Sequence, residues 1–157
     1  MNDGNAPKSA RATLSFERQL DVAWLAGILD GEGCITMPKN GRGIGYAVRV
    51  EFFNTCRPML DKVSRTLRAI GVEHSVYSAL KAKTNQLAKK PVYRVVMTRR
   101  EEIVRCLEHL IPHLTEKRAF AELVVRVFSG RARGSGWSAE DAKEVQQARR
   151  KFMLKAV

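Results

Sequence analysis

Cysteine, histidine and long apolar runs are all scarce in this 157-residue chain, and each scarcity removes a class of protein. The three cysteines, Cys34, Cys56 and Cys106, are odd in number, far apart and without a CxxC pair, so they read as reduced thiols and exclude a disulfide framework. No apolar run approaches the roughly 20 residues of a membrane span. The opening MNDGNAPKSARATLS lacks the apolar core of a secretory signal and reads as a disordered lead over residues 1–15. The expected location is therefore cytoplasmic, at a prokaryotic nucleoid, or organellar, and not secreted. Of three histidines, His109 and His113 are spaced i, i+4, but Pro112 interrupts them and the glutamate of an HExxH zinc helix is missing. GRGIG (41–45) joins two expected strands and opens no helix, so it is no nucleotide fingerprint.

Acidic residues are also few, 16 against 28 Lys and Arg, for a net charge of +12. The excess is concentrated. Residues 1–35 hold three basic and five acidic side chains, 36–100 hold fourteen and three, and 101–157 hold eleven and eight. A solvated surface would spread its charge along the chain. A concentrated positive field points to a polyanion, nucleic acid before membrane, since no basic amphipathic helix with an aromatic face accompanies it. No small-molecule substrate is expected.

What is present is an apolar content of 45%, enough at this length for one compact domain over 16–157. Residues 17–30 have helical periodicity, with Leu20, Trp24, Ile28 and Leu25, Leu29 on adjacent rows. CITMPK and YAVRVEF then alternate apolar and polar residues around the turn NGRGIG, a hairpin pattern. Leu60, Val63, Leu67 and Ile70 predict a helix over 58–70, entered through Pro58 and capped by Gly71. A second hairpin is expected from 74–81 to 92–97. Thr98 with Glu101 reads as a capping box for a helix to about Ile111, Thr115 opens another to Gly130, and Ser138 with Asp141 caps a terminal helix over about 138–156.

The order is α-ββ-α-ββ-α-α, an α+β fold with one antiparallel four-stranded sheet whose helices cover one face. Thr36, Arg49, Glu51 and Arg94 fall on the other face, a polar, basic saddle of the kind that lies along a DNA groove. Asn40 and Arg42 in the first turn, and Lys81, Lys83 and Lys89 in the second, complete the candidate DNA contacts.

The first helix ends unusually, in LAGILDGEG (25–33, preceded by Trp24). Ala23, Gly27 and Gly31 recur every four residues, a stripe that lets two helix backbones cross closely. Packing of this stripe on the chain's own sheet is the alternative. If two copies cross here, each brings Glu32 to one axis, where the two carboxylates repel unless protonated or bridged by a cation. Oxygen-only ligands suit Mg²⁺.

LAGILDGEG followed by a strand pair resembles the signature of the LAGLIDADG homing endonucleases, and the element order over about 17–130 resembles that family's core. The resemblance implies Glu32 as metal ligand, with the Gly31 carbonyl also at the metal and Asp30 in a structural role. The family usually has Asp where this chain has Glu32, so oxygen ligation survives with one extra methylene. It further implies Lys117, in IPHLTEKRAFAELV, as a lysine stabilising phosphate charge, and Asn54, in VEFFNTCRPML, as an amide positioning water; Arg57 is a weaker basic candidate. Lys117 facing solvent and Asn54 acting only as a helix cap are the plainer readings.

A single copy of the motif implies a symmetric homodimer. The implied activity is a double-strand break in a long, nearly palindromic DNA by hydrolysis dependent on Mg²⁺, with Mn²⁺ as a substitute or Ca²⁺ in a non-cleaving complex. An RNA maturase or a non-cleaving DNA-binding relative remains the alternative. Hairpin strands of about eight residues, at roughly 3.3 Å each, match about eight base pairs at roughly 3.4 Å per step.

Overall fold

The computed structural model describes residues 15–39, 41, 43–79, 91–129 and 137–154. The elements are α1 (Phe16–Glu32), β1 (Gly33–Thr36), β2 (Arg49–Asn54), α2 (Arg57–Ala69), β3 (Ser75–Ala79), β4 (Val92–Met97), α3 (Arg100–Leu110), a 3₁₀ turn (Ile111–His113), α4 (Arg118–Ser129) and α5 (Ala139–Leu154). The sheet is antiparallel throughout in the order β1-β2-β4-β3. Period-two alternation sends Val50 and Phe52 of β2, and Val95 and Met97 of β4, into the core beneath the helices. These meet Val22, Leu25, Ala26 and Leu29 of α1 and Leu60, Val63 and Leu67 of α2.

The core face of α1 differs from the periodicity reading. Leu20 is 55% exposed and Phe16 72%, while Trp24 and Ile28 are only partly buried. The buried row is Val22, Leu25, Ala26 and Leu29; Phe16, Leu20, Ala23, Gly27 and Gly31 run along the opposite side. The helix is apolar on two faces, and sequence periodicity does not say which one the chain itself covers. It also continues past Asp30 through Gly31 and Glu32. Gly33 ends it in extended geometry, and there a Cβ would stand 2.8 Å from Leu29 Cα, so close approach demands the glycine.

Gly71 ends α2 at φ +73°, a left-handed conformation that costs glycine nothing. Its N–H donates to Arg68 O at 3.0 Å and that of Val72 to Leu67 O at 2.9 Å, the two bonds of a Schellman cap. The expected Thr98–Glu101 box does not form. Arg99 is the N-cap of α3, without a side-chain cap bond, and its own guanidinium donates to Glu73 at 2.5 Å. The Ser138–Asp141 box is present: Asp141 N–H donates to Ser138 Oγ at 3.1 Å, and that hydroxyl donates to Asp141 Oδ2 at 2.7 Å.

Trp137, just before α5, packs edge-on against Tyr46 at 5.4 Å and Phe128 of α4 at 5.6 Å between ring centroids. A Cβ on Gly45 would stand 2.7 Å from Trp137 Nε1, so the first hairpin admits only glycine under this ring. Arg149 lies over the Tyr46 ring at 5.5 Å and Val145 is fully buried, which seats α5 on the hairpin and α4.

Candidate functional site

The end of α1, the start of β1, the end of β2 and the residues before α4 converge. Gly33 pairs with Phe52, which brings Asn54 beside the last turn of α1. Asn54 Nδ2 donates to Glu32 Oε2 at 3.2 Å, and Asn54 Oδ1 accepts the Cys56 N–H at 2.8 Å. One amide thus holds the entry to α2 with its oxygen and the Glu32 carboxylate with its nitrogen. Asn54 thus bonds both at the entry to α2 and at Glu32, while the N-cap of α2 is Cys56, without a side-chain cap bond.

The other acid of the motif turns the opposite way. Asp30 accepts the N–H of Thr115 at 2.7 Å, Glu116 at 3.3 Å and Lys117 at 2.9 Å, while Lys117 Nζ donates to Asp30 O at 2.5 Å. The entry to α4 is therefore capped by a carboxylate from α1, and Thr115 does not open the helix; α4 begins at Arg118. Backbone N–H groups at a helix start lack intrahelical acceptors, and a carboxylate supplies both acceptors and charge. Lys117 is half-buried and tied to α1, contrary to the solvent-facing alternative.

Cys34 adds a neighbour that the sequence reading did not assign. It sits opposite Glu51 on the open sheet face. Burial pushes its thiol up, the Glu51 carboxylate pushes it further, and the ammonium of Lys117 pulls it down. The field of Lys117 therefore reaches the open face two residues from Glu32.

Among the described residues no three His, Cys, Asp or Glu side chains gather as a metal-binding cluster. What one chain offers is the Glu32 carboxylate and the Gly31 carbonyl, one of the last four of α1 that the helix cannot satisfy. This all-oxygen but incomplete set fits Mg²⁺, which keeps waters and binds through one or two carboxylates plus phosphate.

The open face carries Thr36 opposite Arg49, then Cys34 opposite Glu51, then Phe53 opposite Arg94. Arg49 also reaches Glu51 at 3.4 Å. Asn40, Arg42, Lys81, Lys83 and Lys89 lie outside the described residues. Arg57 stands over the Tyr93 ring at 5.8 Å and pairs loosely with Asp61 at 3.8 Å. Phe53 and Tyr77 project from the open face, and the sequence reading missed both. Their signal was an aromatic at a polar position of a strand.

Along α1, a Cβ on Gly27 or Gly31 would meet nothing within 4 Å among the described residues. Packing among the described residues therefore does not explain either glycine, although each costs about 1 kcal/mol relative to alanine inside a helix.

The sequence profile of the LAGLIDADG-like domain matches residues 19–110. No curated protein sequence matches significantly. Among solved structures, the homing endonuclease I-CvuI in complex with its target in the presence of 2 mM Ca is 26% identical, with a TM-score of 0.54, over 73% of this chain and 69% of that one. The same enzyme with an I-CreI target and 2 mM Mg, its DNA not cleaved, is 20% identical with a TM-score of 0.53, over 85% and 96%. The archaeal intron-encoded homing endonuclease I-Vdi141I complexed with DNA is 13% identical with a TM-score of 0.51, over 71% and 68%. The last two speak for the fold alone. Motif, sheet order and profile agree: the chain belongs to the LAGLIDADG homing endonuclease family.

Proposed function

We propose that this protein is a site-specific endonuclease that breaks double-stranded DNA as a homodimer, by phosphodiester hydrolysis with a divalent cation, Mg²⁺. The observation that carries this reading is the Glu32 carboxylate, held by Asn54 at the motif end of an open, basic sheet face. The concentration of fourteen basic against three acidic residues in 36–100 supports a polyanionic substrate. The neighbour I-CvuI, in complex with its target in the presence of Ca, supports the substrate and cation classes.

A divalent cation, when bound, supplies charge neutralisation at the phosphate and a lowered pKa for a bound water. Glu32 and the Gly31 carbonyl would hold it. Asn54 fixes the carboxylate with its nitrogen and helps orient the attacking water. Lys117 spends one of its three N–H donors on Asp30 O, leaving two to meet phosphate oxygens as charge develops.

Thr36, Arg49, Glu51 and Arg94 face the groove; Asn40, Arg42, Lys81, Lys83 and Lys89, outside the described residues, are further candidates for DNA contact on sequence alone. The six residues of β2 span roughly 20 Å, or about six base pairs, shorter than the eight expected from sequence. Two copies crossing at Ala23, Gly27 and Gly31 bring both Glu32 residues to the centre of a nearly palindromic site. Cutting a library of randomised duplexes, with Mg²⁺ or with EDTA, tests the reading. Symmetric sites cut centrally and only with the cation are expected. RNA binding without DNA cleavage, or cutting indifferent to EDTA, would overturn it.

A further inference from the structure

Phe53, Arg94 and Tyr77 form one row across three strands: Phe53 pairs with Arg94, and Arg94 pairs with Tyr77. Paired residues point to the same side, so all three project from the open face. The two rings are unusual there. Phe53 is 42% exposed and Tyr77 56%, on a face otherwise marked by Thr36, Arg49, Glu51 and the exposed Arg94. Exposed rings set about a cation answer to a ligand that is both apolar and electron-rich.

We infer that this row reads a guanine neighboured by thymines in the major groove, with Arg94 on the guanine edge and the two rings on thymine 5-methyl groups. The inference rests on the DNA-endonuclease reading above. Two strand spacings make the row about 10 Å wide, which fits a major groove about 12 Å across. Arginine matches the O6 and N7 acceptors of guanine, and an aromatic side chain matches the thymine methyl. With Arg94 between them, the rings reach bases on either side of the one it contacts. Position adds a further constraint. Phe53 lies between Phe52, which pairs with Gly33 next to Glu32, and Asn54, which holds the Glu32 carboxylate. The bases read by this row are therefore those beside the cleaved phosphates, inward of the bases that Thr36 and Arg49 face.

The test selects duplexes from a randomised library with the full-length wild type and with Phe53→Ser, Tyr77→Ser and Arg94→Ala. The enriched wild-type duplex should carry guanine with neighbouring thymine next to the cut. Replacing those thymines by deoxyuridine should weaken wild-type binding about fourfold for each methyl removed, the effect of one lost buried methyl group. Phe53→Ser should lose that sensitivity at the thymine on one side of the guanine, Tyr77→Ser at that on the other, and Arg94→Ala the guanine preference. Equal deoxyuridine sensitivity in wild type and variants, or unchanged base preferences, would overturn the inference while a wild type that still cuts duplex DNA upholds the endonuclease reading. Tighter binding of single-stranded oligonucleotides that depends on Phe53 and Tyr77 would replace groove reading by base stacking. A wild type that enriches no duplex sinks both.

Discussion

Asp30 and Glu32 are two residues apart in one motif, carry the same charge, and are used in opposite ways. Asp30 is consumed by the chain: its carboxylate accepts three backbone N–H groups and its carbonyl accepts Lys117 Nζ. Glu32 is touched by one neutral amide and remains exposed on the other side of the helix end. A step of two residues in an α-helix turns a side chain through about 200°, enough to put one acid against α4 and the other beside the sheet. The difference teaches that a motif's acids are not equivalent candidates for chemistry. The acid with its acceptors filled builds the fold, and the acid with acceptors to spare is the one left to take a ligand.

The comparison breaks most visibly at Glu32. Glu32→Gln keeps the side chain's shape and removes the charge. Cleavage in Mg²⁺ should fall by more than roughly a hundredfold, the loss that removing even an outer partner of a metal can reach. Duplex affinity, measured by filter binding, should change little because phosphate contacts supply most of it. A variant that cuts at the wild-type rate would take Glu32 out of the site.

The outward face of the same helix offers the next largest effect. Gly27→Leu should leave the monomer's melting temperature near wild type, since nothing described lies within 4 Å of the added carbon. It should weaken dimerisation by about 1–3 kcal/mol for each intruding side chain. Sedimentation equilibrium alongside a cleavage assay reads both, and an active monomer at working concentration would contradict the symmetric crossing.

At Asp30 the expected loss is in stability first. Asp30→Ala removes an N-terminal cap and should lower unfolding free energy by about 0.5–2 kcal/mol in a urea titration. Cleavage should slow as well because the carboxylate no longer fixes the Lys117 backbone N–H, although Nζ keeps its bond to the Asp30 carbonyl, and in a Lys117→Met background the Asp30 change should add little further loss of rate. Additive losses in that double-mutant cycle would separate the two residues.

The smallest effect lies away from the motif and depends on pH. His74 Nδ1–H donates to Val72 O at 3.1 Å, and its Nε2 lies 2.7 Å from the Ser64 hydroxyl, which donates to the neutral ring and accepts from the charged one. Burial holds its pKa below the ordinary 6.5, with Arg68 adding to the depression against the pull of the Val72 carbonyl. The unfolded chain then binds the proton more readily, so stability is full above about pH 6.5 and declines as pH falls toward the folded value. His74→Asn should flatten the melting temperature's dependence between pH 7 and 5 relative to wild type. An identical slope in the variant would assign the effect to other groups.

Apolar periodicity was enough to order the elements, to place Val50 and Phe52 inside and Arg49 and Glu51 outside, and to mark Gly71 as a cap, because these follow from local geometry and a repeat of two or 3.6 residues. The motif was likewise legible: Glu32 and the small-residue stripe are written in adjacent residues. Tertiary structure alone decided which apolar face of α1 the chain buries, since both Leu20 and Leu25 satisfy a helical repeat. It alone gave Asp30 to the entry of α4, held Lys117 beside α1, divided Asn54 between Cys56 and Glu32, and aligned Phe53, Arg94 and Tyr77. Each of these joins residues far apart in sequence, and their meeting depends on the pairing of β2 with β4 and the docking of α4 on α1. A residue's type sets what it can bond; the packing of distant elements sets what it meets.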